Sequence, residues 1–216
     1  NIYDTYSQLK VVYTGSSILD INKGAADLSR RQLIYTMYGL SFREYLSLAH
    51  GIEIPIHTIE DIVSNNIKFP MGDNRPIALF KEYMRSGYYP FFRERDCYSR
   101  LQQIVNQVLE VDIPKFAELS ITTIEKLKKL MYVIAQSVPF KPNYSKLGRD
   151  LECHRTSVSD LVLLLDKSHL IHILRDDSFG VSSLGKVDKI YLGNTHLAYA
   201  ISDTSPDVGN LRETVF

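Results

Sequence analysis

The hydrophobic positions of this chain change their period along its length, and the changes mark out its elements. Near the start, Val11-Val12-Tyr13 and Leu33-Ile34-Tyr35-Thr36-Met37-Tyr38 are short apolar runs without clean alternation. Runs of that kind are expected of parallel strands covered on both faces. The first ends in Thr14-Gly15-Ser16-Ser17, which places hydroxyls at a strand's carboxyl end, where open parallel sheets bind ligands. Residues 1–45 therefore read as helix end, strand, loop and strand. From residue 46 to about 118 the spacing turns helical, interrupted by Pro55, Pro70, Pro76 and Pro90. Ile77, Phe80 and Met84 fall on one predicted helical face, and Leu101, Ile104, Val105 and Val108 on another.

Residues 119–192 carry the most regular pattern. Ser120 precedes a helix with Ile124, Leu127, Leu130, Met131 and Ile134 as its apolar stripe, ended by Pro139 and Pro142. Asn143 can cap a short second helix, Tyr144 to Leu151. A turn at Cys153-His154 leads into a third helix with Val158, Leu161, Val162 and Leu165 inward. Leu170 to Arg175 is strand-like, Asp176 to Gly180 a turn, and Lys189 to Leu192 a returning strand. Three helices with a short second one, followed by a hairpin, predict a winged helix-turn-helix. The expected fold class is α+β and mainly helical.

Composition narrows the function classes. Lysines and arginines number 25 against 25 aspartates and glutamates, so no global field draws the chain to nucleic acid or to a membrane. Apolar content of 44% is that of an ordinary globular protein, and no apolar run reaches the length of a membrane span. Cys97 and Cys153 stand in no Cys-x-x-Cys pattern, which favours a reducing compartment over a disulfide scaffold. A cytoplasmic location is expected. Neither cysteine has an obvious partner base, so nucleophilic catalysis is not expected of them.

Several short motifs recur in an order that resembles one family. They are Thr14-Gly-Ser-Ser17, Leu28-Ser-Arg-Arg31, Gly39-Leu-Ser-Phe-Arg-Glu-Tyr-Leu46, Gly87-Tyr-Tyr-Pro90, Lys189-Ile-Tyr-Leu192 and Gly209-Asn-Leu-Arg-Glu213. The ordered set resembles the prokaryotic AAA+-type P-loop ATPases that join a nucleotide-binding core to a winged helix and a nuclease-like C-terminal domain of unknown function. That resemblance implies four regions. Residues 1–45 would be the C-terminal part of the P-loop α/β core, from the sensor strand onward. Residues 46–118 would be a helical lid, 119–192 the winged helix, and 193–216 the start of the C-terminal domain. It implies ATP and Mg2+ as cofactors of the parent protein. In the family the phosphate loop lies upstream of Thr-Gly-Ser-Ser, so the chain is expected to be a fragment lacking that loop, to hold no nucleotide tightly and not to hydrolyse ATP. Self-association through exposed edges of the half-core is a further expectation.

The near-match to a phosphate loop within the chain, Gly180-Val-Ser-Ser-Leu-Gly-Lys186-Val187, ends in valine where a magnesium-binding hydroxyl is needed. It reads as a hairpin turn. Thr14, Ser16 and Ser17 are either a sensor that orients the attacking water near the γ-phosphate or a hydroxyl-rich strand end. Arg31, with Arg30, is either an arginine finger for the transferring phosphoryl group or a surface cation paired with neighbours such as Asp27.

The third helix of the winged unit presents His154, Arg155, Thr156, Ser157, Ser159 and Asp160 outward. Arg155, Thr156, Ser157 and Ser159 are the candidate DNA-binding residues, meeting phosphates and base edges. Over residues 141–175 six cations face four carboxylates, a weak basic footprint, so a protein-contact role stays open beside DNA. His169 and His172 lack a supporting carboxylate or thiolate at ligand spacing, and no metal site is expected. Tyr88 and Tyr89 either stack on a base or pack the lid, and Arg93-Glu94-Arg95-Asp96 reads as a solvated loop. Glu213 resembles an early carboxylate of a nuclease metal site, but within the chain it reads as a helix-start acid.

Overall fold

The computed structural model describes residues 5, 6, 8–15, 19, 33–67, 70, 72, 75–137, 139–175, 187–202, 206 and 208–215. The chain is mainly helical with one small antiparallel sheet among the described residues. Ten α-helices are described: α1 (Phe42–His50), α2 (Ile59–Val63), α3 (Pro76–Glu82), α4 (Cys97–Gln107), α5 (Ile113–Ala117), α6 (Ile121–Ser137), α7 (Tyr144–Asp150), α8 (Arg155–Lys167), α9 (Thr195–Ile201) and α10 (Val208–Val215). Strands β1 (Ile171–Arg175) and β2 (Val187–Leu192) lie between α8 and α9.

Local signals set the helix starts. Ser41 and Glu44 form a reciprocal capping box: the Ser41 amide donates to Glu44 Oε2 at 2.7 Å, and the Glu44 amide to Ser41 Oγ at 3.3 Å. Those bonds stabilise the carboxylate, so the Glu44 pKa falls below its ordinary value. Thr58 and Asp61 repeat the device at α2. Asn143 caps α7 by accepting from the Lys146 amide at 2.9 Å, the role its place in the sequence predicts.

Helix α3 widens into a π-helical turn, Tyr83–Gly87, and α4 does the same at Val108–Asp112. The longest helix, α6, buries Leu127, Leu130, Met131, Ile134 and Ala135. Helices α7 and α8 pack on each other through a turn in which Glu152 takes φ 51° and the Cys153 amide donates to Gly148 O at 2.8 Å. A Cβ on Gly148 would lie 2.7 Å from Cys153 O, so this turn closes only around a residue without one. Strands β1 and β2 pair Ile171 with Leu192 and Ile173 with Ile190, and a register shift falls between Leu174 and Arg175. Phe140 adds a single bridge to the other edge of β2, exchanging both backbone hydrogen bonds with Ile190 at 3.2 and 2.9 Å.

The structure departs from three expectations about strands and apolar faces. No described residue of 9–15 or 33–41 is in a strand, and Val12 is 91% exposed. A parallel strand is held by neighbouring strands on both edges and helices on both faces, and among the described residues no strand pairs with these runs. On the α3 face, Ile77 is 70% exposed and Phe80 half-buried while Leu79, Tyr83 and Met84 are buried, so Leu79 and Tyr83, one helical turn apart, carry the inward stripe. Ile104 on α4 is likewise exposed, and Leu101 and Val105 carry that face inward.

Packing shows no break at residue 193. Helix α9 is almost wholly buried and lies against α4, the π-turn after α3, α6 and β2.

Candidate functional site

Two constellations bring together residues from distant parts of the sequence. The first is an aromatic joint around the π-turn. Leu40 donates its amide to Tyr88 O at 2.7 Å and its carbonyl accepts the Tyr83 hydroxyl at 2.8 Å. Tyr45, fully buried, donates its hydroxyl to Glu82 at 2.6 Å and meets Tyr83 and Phe92 ring to ring. Burial and the Glu82 carboxylate both raise the Tyr45 pKa, which keeps the phenol a donor. Burial also pushes Tyr83 and Tyr89 up to about 12.

The motif Gly39–Leu46 thus docks on Gly87–Pro90. Gly87 lets the two approach: a Cβ there would meet the Tyr83 ring and lie 2.7 Å from Tyr45 Cδ2. Tyr88 and Tyr89 belong to this packing, with Tyr89 stacked on Phe91 at 5.1 Å between ring centroids.

The start of α9 completes the joint. Asn194 caps α9 and donates to the Tyr89 hydroxyl at 3.0 Å, and Thr195 Oγ1 donates to Met84 O at 2.6 Å inside the π-turn. His196, 4% exposed, stacks on Tyr89 and bonds the Ser86 backbone, while its Nε2 has no hydrogen-bond partner. Burial lowers its pKa to about 4. Apolar periodicity does not single out Asn194 or His196. The signal that does mark them is an Asn ahead of a Thr-His-Leu-Ala helix start.

The second constellation is a cleft of about 680 Å³ at the amino ends of α7 and α8. It is lined by Lys141, Asn143, Ser145, Arg155, Thr156 and Ser159, together with Pro142 and Tyr144. Among the described residues no carboxylate lines it, so the chemistry of that lining favours an anion. Arg155 and Thr156 are exposed and Ser159 is half-buried. Arg155 makes no ion pair among the described residues. Thr156 is partly committed, because its hydroxyl lies 2.8 Å from His154 Nδ1 and its amide donates to the same nitrogen, which caps α8. Lys141 reaches across to β2, where its Nζ lies 2.7 Å from Asp188 Oδ1.

Three of the four candidate DNA-binding residues therefore share one cleft, and Ser157 is exposed next to them in sequence. Lys141 and Ser145 join them, residues that helical periodicity alone does not bring to the third helix. Thr14 lies on an exposed stretch without regular structure. Ser16, Ser17, Arg30 and Arg31 fall outside the described residues, as do residues 180–186 of the near-match to a phosphate loop. Glu213 lies in the second half of α10 rather than at its start, and pairs with Lys189 of β2 at 3.3 Å, which raises the lysine's pKa. The rings of His169 and His172 lie 6.2 Å apart, and burial lowers the His169 pKa. Among the described residues no three His, Cys, Asp or Glu side chains gather as a metal site would require. Cys97 and Cys153 are free and half-buried. Within the expected solvated loop, Arg93 bonds Leu48 O, and Glu94 pairs with Arg100. No described helix is long and apolar enough to cross a membrane.

Residues 77–208 match a domain of unknown function (DUF8612), and over that span the chain belongs to this family. Residues 1–46 match an AAA domain, a similarity that covers only this N-terminal stretch. The chain is 29% identical over 198 residues to the uncharacterized protein MJ1637 of Methanocaldococcus jannaschii, an alignment covering 88% of this chain and 40% of that protein. It spans about two fifths of that relative's length. No solved structure matches.

Proposed function

We propose that the chain is the coupling region of an AAA-type ATPase, converting nucleotide state into contact with a macromolecule. One observation carries this reading. The AAA match ends at residue 46, inside α1, and that end is seated in the aromatic joint through Leu40, Tyr45 and Leu46. A displacement of the AAA part is then passed to α3, α9 and the helices beyond rather than absorbed in a loose linker.

On this reading Thr14, Ser16 and Ser17 are the sensor and Arg31 the arginine finger, acting by hydrogen bonding and charge on the transferring phosphoryl group. ATP and Mg2+ would be held by the parent protein's phosphate loop and magnesium carboxylate. Helix α6, the α7–α8 pair, the hairpin and the Phe140 bridge would form the winged helix. The order of these elements and the edge bridge support that assignment.

The test is ATP turnover. The product of the full reading frame should hydrolyse ATP only with magnesium, and Arg31→Ala should slow it by a factor of about 10³ or more if the arginine is a finger. The 216-residue chain alone should show none. Turnover by that chain, abolished by Lys186→Ala, would overturn the reading, as would failure of the full product to bind ATP.

A second reading makes α7 and α8 a DNA-binding unit that works without hydrolysis. The cleft favours it, since among the described residues two cations and several hydroxyls line it and no carboxylate does. Duplex binding unaffected by nucleotide would favour this second reading.

A further inference from the structure

The cleft at the amino ends of α7 and α8 has a property that neither reading uses: one of its two cations is already paired. Lys141 is held by Asp188, which belongs to β2 and lies outside the lining. Arg155, the other cation, has no ion-pair partner among the described residues. With them, Ser145 and Ser159 present hydroxyls, and the Asn143 side-chain amide has no partner among the described residues, its oxygen serving the cap.

These groups suit phosphate oxygens better than base edges. Hydroxyls, a lysine and an arginine neutralise and hydrogen-bond an anion without reading a donor–acceptor pattern. Thr156, near the start of α8, has its hydroxyl engaged by His154. Further along α8, Asp160 is exposed and opposes close entry of a phosphate strand on that side. The cleft is open to solvent and spans the ends of two helices, so it fits a stretch of polymer rather than an enclosed small molecule.

We propose that this cleft binds the sugar-phosphate backbone of duplex DNA without sequence preference, and that Asp188 competes with the phosphate for Lys141 and so sets the affinity. The inference rests on the reading of α7 and α8 as a DNA-binding unit. In the free protein the Lys141–Asp188 pair withholds one cation from the cleft. On binding, a phosphate takes over the lysine, and the Asp188 carboxylate stays nearby and repels the strand. Asp188 is thus a positioning residue and not a ligand of the DNA.

Fluorescence anisotropy with a labelled duplex tests this on the chain as it stands. Two duplexes of unrelated sequence should bind alike. Affinity should fall with salt, each engaged cation adding about 0.9 to the slope of log K against log salt. Arg155→Ala should weaken binding and reduce that slope by about 1. Asp188→Asn should tighten binding by roughly two- to fivefold by removing a carboxylate near the bound phosphate. Millimolar inorganic phosphate at constant ionic strength should leave the complex intact.

Absence of salt-dependent binding by the unaltered chain would remove the DNA-binding reading itself. Binding that persists while Asp188→Asn leaves it unchanged or weaker would overturn the competition alone. A strong preference between the duplexes would overturn the sequence-independent mode, and displacement by inorganic phosphate would make this a small-anion site. Circular-dichroism melts of both variants matching the parent chain confirm that the changes in binding are not losses of fold. Should Arg155→Ala melt early, Arg155→Lys should retain most of the binding if charge is what the cleft supplies.

Discussion

Acidification between pH 6.5 and 4 should destabilise this protein chiefly through His196. The ring is 4% exposed, stacked 5.7 Å from the Tyr89 centroid, with Nε2 lacking any partner. Protonation would place a second N–H and a full charge where nothing accepts them, and burial accordingly holds the pKa at about 4 against an ordinary value of 6.5. The sign follows from which state binds the proton first. The unfolded chain takes it up near pH 6.5, the folded chain only near 4, so the neutral ring's contribution is whole above 6.5 and lost as pH falls towards 4. A shift of that size corresponds to about 3 kcal/mol, or roughly 6–12 °C in melting temperature for a chain of this length.

The assay is urea unfolding and thermal melting at intervals from about pH 7.5 to about 4.2, compared with His196→Phe. Phenylalanine keeps the stacking and removes the orphan nitrogen, but gives up the bond to Ser86. Its cost at neutral pH should therefore be small, within about 1–2 kcal/mol. His169 is lowered in the same direction and contributes equally to both proteins, so the difference between them isolates His196. Glu44 and Asp61, whose pKa values are lowered, lose their contributions only below the ordinary carboxylate range, under most of this window. The gap between parent and variant should close or reverse as pH falls. Parallel pH profiles for the two proteins would refute the assignment.

Two further outcomes test the joint. Gly87→Ala should cost about 1–3 kcal/mol, because its Cβ meets the Tyr45 and Tyr83 rings inside the core, and thermal melting should show the loss. Ser41→Ala removes one side of the capping box at α1 and should cost about 1 kcal/mol, while Ser41→Asp should restore most of it. If Ser41→Ala left stability unchanged while altering ATP turnover in the full product, the Gly39–Leu46 motif would be serving chemistry rather than helix initiation.

The apolar spacing of residues 121–167 is enough by itself to define α6, α7 and α8 and most of their inward residues. Asn143 marks a cap, and the apolar stretches flanking a turn mark β1 and β2. Each of these is decided locally, by period and by the hydrogen-bonding capacity of one side chain. The ordered motifs likewise point to an AAA-type start, which the match over residues 1–46 supports. The strands expected at 11–17 and 33–38 are a different matter, because a strand exists only with partners, and periodicity says nothing about whether they are present.

The sites lie further from reach. Lys141 and Asp188 are 47 positions apart, and Tyr89 and Asn194 105. Only the folding of the two strands back onto α6, α8 and the Phe140 segment, and of α9 into the core, makes either pair a pair. His196 makes the same point in a single residue. In the sequence it is one of six histidines, and its burial, its stacking and its depressed pKa arise only from the tertiary packing around it.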